Sequence, residues 1–214
     1  ESYLSSVGEA LGKSLPSGES SRSRPGVSRV KWTENQGFYL TEKQKNIYDK
    51  IVSSDKKAHL IFGITCSGKT EIYMSAAMDA VSKGLSVIYL VPEITLSSQI
   101  HERLYKVFGE NLVVYHSQLT QNQRFANWKK FYKGEAMVAV GTRSAVFLQC
   151  PRLGLIIIDE EHDSSYKEQS TPRYNARRIA FYRSESEKAT LILGSATPSI
   201  ETLYAAKRGV IELH

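Results

Sequence analysis

Six short apolar runs rich in β-branched residues punctuate the chain: "HLIFG" (59–63), "SVIYLV" (86–91), "LVVYH" (112–116), "MVAVG" (137–141), "LGLIIID" (153–159) and "TLILG" (190–194). Most are separated by stretches of helical periodicity, at 69–82, 95–107, 120–132, 175–185 and 198–207. A further helix is expected over "TEKQKNIYDKIV", with Thr41 as its N-cap and Ile47, Tyr48 and Ile51 on one face. Continuous rather than alternating apolar runs mark strands buried on both faces, and the intervening helices supply right-handed crossovers. The pattern therefore predicts an α/β fold with a mostly parallel sheet and helices on both faces. In such sheets ligands bind at the carboxyl ends of the strands. The polar residues that follow each apolar run carry the functional reading.

Upstream of residue 37 the pattern changes. "SLPSGESSRSRPGVS" (14–28) is mostly Ser, Gly and Pro with scattered arginines. It has too little apolar surface to offset the entropy of ordering, so residues 16–36 read as a flexible linker. Residues 1–15, with Leu4, Val7, Leu11 and Leu15 at roughly helical spacing, read as the remnant of an upstream segment. Residues 37–214 are left as the folded domain.

Composition narrows the class. The chain has 214 residues, 41% hydrophobic and 23% charged, which suits a globular protein able to bury a core without disulfides. No apolar run approaches the roughly 18 residues of a membrane span. The start "ESYLSSVGEA" lacks the basic and apolar regions of a secretory signal. Cys66 and Cys150 give neither a disulfide framework nor zinc spacing, and a reducing, cytoplasmic setting is expected. The net charge of +6 allows a polyanionic partner but does not identify one.

Candidate chemistry begins at "GITCSGKT" (63–70), which fits G-x-x-x-x-G-K-[ST] between a predicted strand and a predicted helix. After Gly63, which opens the nucleotide-binding loop, backbone N–H groups of Ile64, Thr65, Cys66, Ser67, Gly68 and Lys69 can turn toward phosphate oxygens, helped by the positive end of the helix. Lys69 would neutralise terminal phosphates and the Thr70 hydroxyl would hold Mg²⁺. Cys66 is permitted there, either as a small residue or as a reactive thiol. At the end of "LGLIIIDEEH", Asp159 would hold Mg²⁺ through water and Glu160 would orient and deprotonate an attacking water. Lys69, Asp159 and Glu160 are the expected catalytic set, and ATP with Mg²⁺ the expected cofactor.

The remaining strand-end strings carry a family resemblance. "DEEH" and "GSATPS" (194–199) look like motifs II and III of superfamily 2 helicases, and "LVPEITLSSQ" and "VGTRSAVF" like motifs Ia and Ib. Taken in order, "GITCSGKTEIY", "LVPEITL", "HSQLT", "GTRSAVF", "LGLIIIDEEHDSSYK" and "LGSATPSIE" resemble the PriA family of bacterial replication-restart DNA helicases, over about residues 40 to 205. The resemblance implies a RecA-like P-loop lobe that uses ATP to move 3′-to-5′ on single-stranded DNA at stalled forks. It implies primosome proteins and single-stranded DNA-binding protein as partners. Gln44 would recognise adenine, although an exposed helix Gln is also common.

Single-stranded and forked DNA would lie across the same sheet edge. Thr142, Arg143 and Ser144 offer two hydroxyls and a fork-shaped cation to phosphates. Pro92, Glu93, Thr95, His116 and Ser117 occupy equivalent strand-end positions, as parts of a strip or as turn and cap residues. Between motifs II and III, Tyr166 and Tyr174 are interleaved with Lys167, Arg173, Arg177 and Arg178, suited to stacking bases and pairing phosphates, or else forming a solvated basic loop. By resemblance this loop senses DNA, with His162 as the coupling residue. It carries no tryptophan, and Pro172 stands where some relatives have one. Ser195 and Thr197 would hydrogen-bond toward the DEEH segment; alternatively Thr197 and Pro198 start a helix as its cap and first residue.

In that family a second motor lobe supplies arginines to the transferred phosphoryl group. The chain ends soon after motif III, so the expectation is a first lobe that hydrolyses ATP poorly alone, with the family's zinc sites outside it. Two other classes stay open: a nucleotide-gated DNA-binding module without turnover, and another superfamily 2 nucleic-acid motor.

Overall fold

The computed structural model describes residues 39–64, 67–93 and 98–214. The expected upstream remnant and linker lie outside the described residues. Helix α1 (Glu42–Ser53) opens on Thr41, whose hydroxyl accepts from the Gln44 amide while the Gln44 side chain accepts from the Thr41 amide. This capping box satisfies two donors that a helix start otherwise leaves unpaired, and such a cap contributes about 1 kcal/mol.

The chain then alternates strand and helix. β1 (Ala58–Phe62) leads to α2 (Lys69–Ser82), β2 (Ser86–Leu90) to α3 (Ser98–Phe108), and β3 (Leu112–Tyr115) to α4 (Gln121–Tyr132). β4 (Val138–Gly141) runs into a 3₁₀ turn, Arg143–Phe147, and then β5 (Leu153–Ile158). A second 3₁₀ turn, Ser164–Tyr166, precedes the two-residue strands β6 (Lys167–Glu168) and β7 (Tyr174–Asn175), which pair antiparallel. α5 (Ala176–Glu187), β8 (Thr190–Ser195), α6 (Ile200–Lys207) and β9 (Glu212–Leu213) complete the order.

Seven strands form one sheet in the order β3-β4-β2-β5-β8-β1-β9, with every described pairing parallel. The six predicted runs are its first six strands in chain order within that sheet. β9 and the β6–β7 ribbon are additions that their two-residue lengths gave no period to reveal. α6 starts at Ile200 with Ser199 as N-cap, two residues later than a cap at Thr197 would place it. Ser199 wins because its hydroxyl reaches the Thr202 amide.

Burial on both faces explains the continuous apolar runs. Successive strand residues point to opposite faces. Ile88 and Leu90 join Leu60, Ile156 and Leu193 in one core, beneath Phe131 of α4 and Ala176 and Ala180 of α5. Val87 and Tyr89 join Ile61, Ile157 and Ile192 in the other, beneath Ile51 of α1, Ile72 and Met74 of α2, and Leu104 and Phe108 of α3. Each such buried aliphatic side chain contributes roughly 1.5–3 kcal/mol of transfer free energy. The register aligns the strand ends: Leu90 stands beside both Gly141 and Ile158, Tyr115 beside Gly141, and Phe62 beside Ser195. The segments leaving β1, β2, β3, β4, β5 and β8 therefore emerge along one edge.

Candidate nucleotide and nucleic-acid site

The loop leaving β1 is held from both sides. The Gly63 amide donates to the Ser195 carbonyl of β8 at 3.2 Å, and the Ser67 amide to the Ile64 carbonyl at 3.2 Å. Gly68 takes a left-handed backbone, φ 81°, and begins α2 without any side-chain cap among the described residues. A Cβ at Gly68 would lie 2.0 Å from Nε2 of Gln44, which donates to the Gly68 carbonyl at 3.2 Å. The dihedral favours glycine here, and a Cβ would also push the Gln44 amide away from the loop. Gln44 commits both ends of its amide, to the Thr41 cap and to this loop. Thr65 and Cys66 lie outside the described residues.

Lys69 is 6% exposed. Its ammonium donates to the carbonyls of Gly63 at 2.8 Å and Ile64 at 3.2 Å, and lies 3.9 Å from Oε1 of Glu160. Thr70 follows in the first turn of α2. An uncapped helix start beside a buried lysine is a fitting seat for phosphate oxygens.

Asp159 extends β5, its amide donating to the Leu90 carbonyl at 3.0 Å. Burial, reinforced by the neighbouring Glu160 charge, pushes its carboxyl up to about 6, against the Glu160 amide and the Lys69 charge. The buried hydroxyls of Tyr73 and Tyr89 lie close enough to feel that carboxyl, yet neither makes a hydrogen bond of ordinary geometry among the described residues. Burial, then the Asp159 charge, drives both phenols well above their usual range. A buried carboxylate beside a second carboxylate, Glu160, is chemically suited to a divalent cation.

Glu160 carries a positive φ of 44°, uncommon for a residue with a Cβ. Its carboxylate lies 3.9 Å from Lys69 Nζ and 3.6 Å from His162 Nδ1. The same His162 nitrogen is hydrogen-bonded to Ser195 Oγ at 2.7 Å, and that oxygen accepts from the Thr197 amide at 3.0 Å. The loop after β5 is thereby joined to the loop after β8. The Thr197 side chain itself is exposed.

Sequence reasoning passed over Glu161, the second glutamate of DEEH. It is fully buried and accepts from the Ser199 amide (2.7 Å), Ser199 Oγ (3.1 Å), Thr202 Oγ1 (3.0 Å) and Arg177 (2.7 Å). It ties the ends of β5 and β8 to the starts of α5 and α6. No local pattern signals this, because its partners come from the starts of α5 and α6.

The strand-end strip is brought together in part. Pro92 is buried and Glu93 exposed after β2; Thr95 lies outside the described residues. His116 is half-buried, and burial, then the Arg124 charge, lowers its imidazole; Ser117 beside it is exposed. Thr142 is 4% exposed and Ser144 half-buried. Arg143 does not present an unengaged fork. It donates to the Ser165 carbonyl at 3.1 Å and to Glu168 at 2.8 Å, with Glu93 at 3.7 Å. Burial opposes the Glu168 charge, but the Ser170 amide and Arg143 hold its carboxyl below the usual range.

The aromatic and basic loop divides. Tyr166 is fully buried, its hydroxyl donating to the carbonyls of Asp159 (2.6 Å) and Leu90 (3.2 Å), so it has no face to offer a base. Arg177 is 11% exposed and committed to Glu161 rather than to solvent-borne phosphates. Tyr174 is half-buried, edge-on to Phe147 at 4.9 Å, with burial pushing its phenol up to about 12. Lys167 and Arg173 are exposed.

Comparison with known proteins gives this arrangement a family. The DEAD/DEAH box helicase family model matches residues 41–206. The chain is 40% identical over 211 residues to the replication restart protein PriA of Treponema pallidum, covering 98% of this chain and 32% of that protein. It is 42% identical over 178 residues to the Bacillus subtilis protein of the same name, covering 81% and 22%. The chain thus spans about a fifth to a third of the curated relatives it matches. The Hef helicase domain of Pyrococcus furiosus shares the fold, with a TM-score of 0.59 at 22% identity, covering 80% of this chain and 37% of that one.

Proposed function

Because the chain belongs to the DEAD/DEAH box helicase family, we propose that residues 37–214 form the first motor lobe of a PriA-type DNA helicase. This lobe binds and hydrolyses Mg-ATP so that the whole protein moves 3′-to-5′ on single-stranded DNA during replication restart at stalled forks. The observation that carries this reading is the convergence of Lys69 and Glu160, whose charged atoms lie 3.9 Å apart although one opens the helix after β1 and the other follows β5.

Each residue's part follows from its place. The loop from Gly63 to Lys69 binds the phosphates, and Lys69 exchanges loop carbonyls for phosphate oxygens. Thr70 and Asp159 hold Mg²⁺, which supplies charge neutralisation on the phosphates when bound. Glu160 orients the attacking water and takes its proton. His162 senses Glu160 on one side and Ser195 on the other, so the protonation and position of the carboxylate are felt at the segment leading to α6. Gln44 positions Gly68 from α1 and sets the neighbouring adenine end. Because related motors complete their sites with arginines from a second lobe, turnover by this lobe alone is low.

DNA lies along the ends of β2, β3 and β4, with the loop 162–178 at its flank. Single-stranded and forked DNA are the proposed partners, with primosome proteins and single-stranded DNA-binding protein, in the cytoplasm. Fluorescence anisotropy of labelled single-stranded and forked oligonucleotides tests this, with and without a non-hydrolysable ATP analogue. Nucleotide should change the DNA affinity of the parent chain, and His162→Ala should abolish that response. DNA affinity indifferent to nucleotide in both proteins would contradict the motor reading.

A further inference from the structure

A cluster of metal-ligating side chains lies at the edge of the sheet formed by β1 and β9, and the nucleotide chemistry makes no use of it. His59, Glu212 and His214 each offer one ligand atom, and the three atoms lie within 4.8 Å of one another. The backbone dictates this meeting. Glu212 and His214 are two residues apart on an extended segment, which puts them on one face. The parallel register sets His59 beside Glu212. The His214 amide and carbonyl continue the pairing, to the Leu60 carbonyl and from the Phe62 amide, so the segment stays extended through His214.

We propose that His59, Glu212 and His214 bind one divalent transition-metal ion, Zn²⁺ by the chemistry of the set, and that the ion clips β9 to β1. Nδ1 of His59 lies 3.1 Å from Nε2 of His214 and 3.8 Å from Oε2 of Glu212. A tetrahedral ion with bonds of about 2.0–2.1 Å holds its ligand atoms about 3.3 Å apart, so small adjustments close the site. Two imidazoles and one carboxylate leave the fourth position to water.

The surroundings point the ligands inward. Nε2 of His59 is 3.2 Å from the Lys56 carbonyl, which can only accept. That contact puts the proton on Nε2 and leaves Nδ1 with a bare lone pair facing His214. A histidine held this way by a backbone carbonyl has the outer contact typical of metal ligands. Ser54 hydrogen-bonds Glu212 and fixes its carboxylate. His59 is fully buried while Glu212 and His214 are partly exposed, so an ion can enter from solvent. Without metal, a single proton shared between Nδ1 of His59 and Nε2 of His214 fills the gap, with the rings stacked at 5.3 Å. Metal binding displaces that proton, which moves to Nδ1 of His214, so that both imidazoles ligate in their neutral form. Lys50 and Lys57 oppose a cation here, and the Glu212 carboxylate offsets part of their charge.

The test uses untagged, chelator-treated protein of the full 214 residues. Zn²⁺ is titrated by calorimetry and Co²⁺ is followed by its visible absorption, in parent, His214→Ala, Glu212→Gln and Lys69→Ala. One equivalent is expected in the parent, with a tetrahedral Co²⁺ spectrum and a melting temperature raised by Zn²⁺. Both signals should be lost or weakened at least tenfold in His214→Ala and weakened in Glu212→Gln, while Lys69→Ala binds as the parent does. Far-UV circular dichroism establishes that the variants are folded. Absence of stoichiometric binding in the parent, or parent-like binding in His214→Ala, overturns the proposal.

Discussion

Arg177 donates to the fully buried carboxylate of Glu161 at 2.7 Å, and this pair joins the start of α5 to the loop that follows β5. Removing one partner of such a pair leaves a buried charge uncompensated, which typically costs about 3–5 kcal/mol. Arg177→Ala and Glu161→Ala should each lower stability by about 3 kcal/mol in urea unfolding. The double variant should lose less than the sum. Additive losses would show that the pair is not coupled.

Gly68 tests the link between α1 and the loop. Gly68→Ala adds left-handed backbone strain of about 1–2 kcal/mol to a Cβ that meets Gln44. Nucleotide affinity and melting temperature should both fall. Adding Gln44→Ala should restore part of the loss by removing the obstructing amide, at the expense of the α1 cap. No recovery in the double variant would mean that the dihedral alone governs the loop.

Asp159 predicts an exchange of stability for function. Its folded carboxyl titrates at about 6, above the unfolded value, so the folded state binds more protons between roughly pH 4 and 6. Stability therefore declines as pH rises through that window. Asp159→Asn should stabilise the nucleotide-free protein near pH 7 by up to about 3 kcal/mol, with the gain vanishing below about pH 4. Thermal melts across that range measure it. A destabilised Asn variant at pH 7 would show that the charge is held favourably.

The proposed DNA face divides into residues that hold the fold and residues that reach solvent. Lys167→Ala and Arg173→Ala should each reduce the salt dependence of single-strand binding by about 0.7 in log–log slope. Tyr166→Phe should instead cost about 1–3 kcal/mol of stability, through the Asp159 carbonyl left without the phenol donor while Leu90 keeps the Asp159 amide, and leave DNA affinity unchanged. Weakened DNA binding at full stability in Tyr166→Phe would return that ring to the interface.

What was legible in the sequence follows from range. The Thr41–Gln44 box, the start of α2 after Gly68 and the six apolar strands are set by residues within a few positions of one another, and their patterns carry them. The placement of Asp159 and Glu160 was legible because the apolar run of β5 ends just before them. Arg143 and Tyr166 were not, because a cation and an aromatic in a polar loop read as exposed until Glu168 and the carbonyls of Leu90 and Asp159 are seen beside them. Glu161 was missed for the same reason: three of its four donors lie 38 to 41 residues away. Two-residue strands such as β9 have no period to detect.

The central claim is that the loop after β1 and the acidic end of β5 form one nucleotide site, and a titration of Mg-ATP into the parent chain and Lys69→Ala tests it most directly. Saturable binding that is lost in a folded Lys69→Ala is the predicted result. Equal affinity in the two proteins would contradict the claim, because the buried ammonium 3.9 Å from Glu160 would then take no part in holding phosphate.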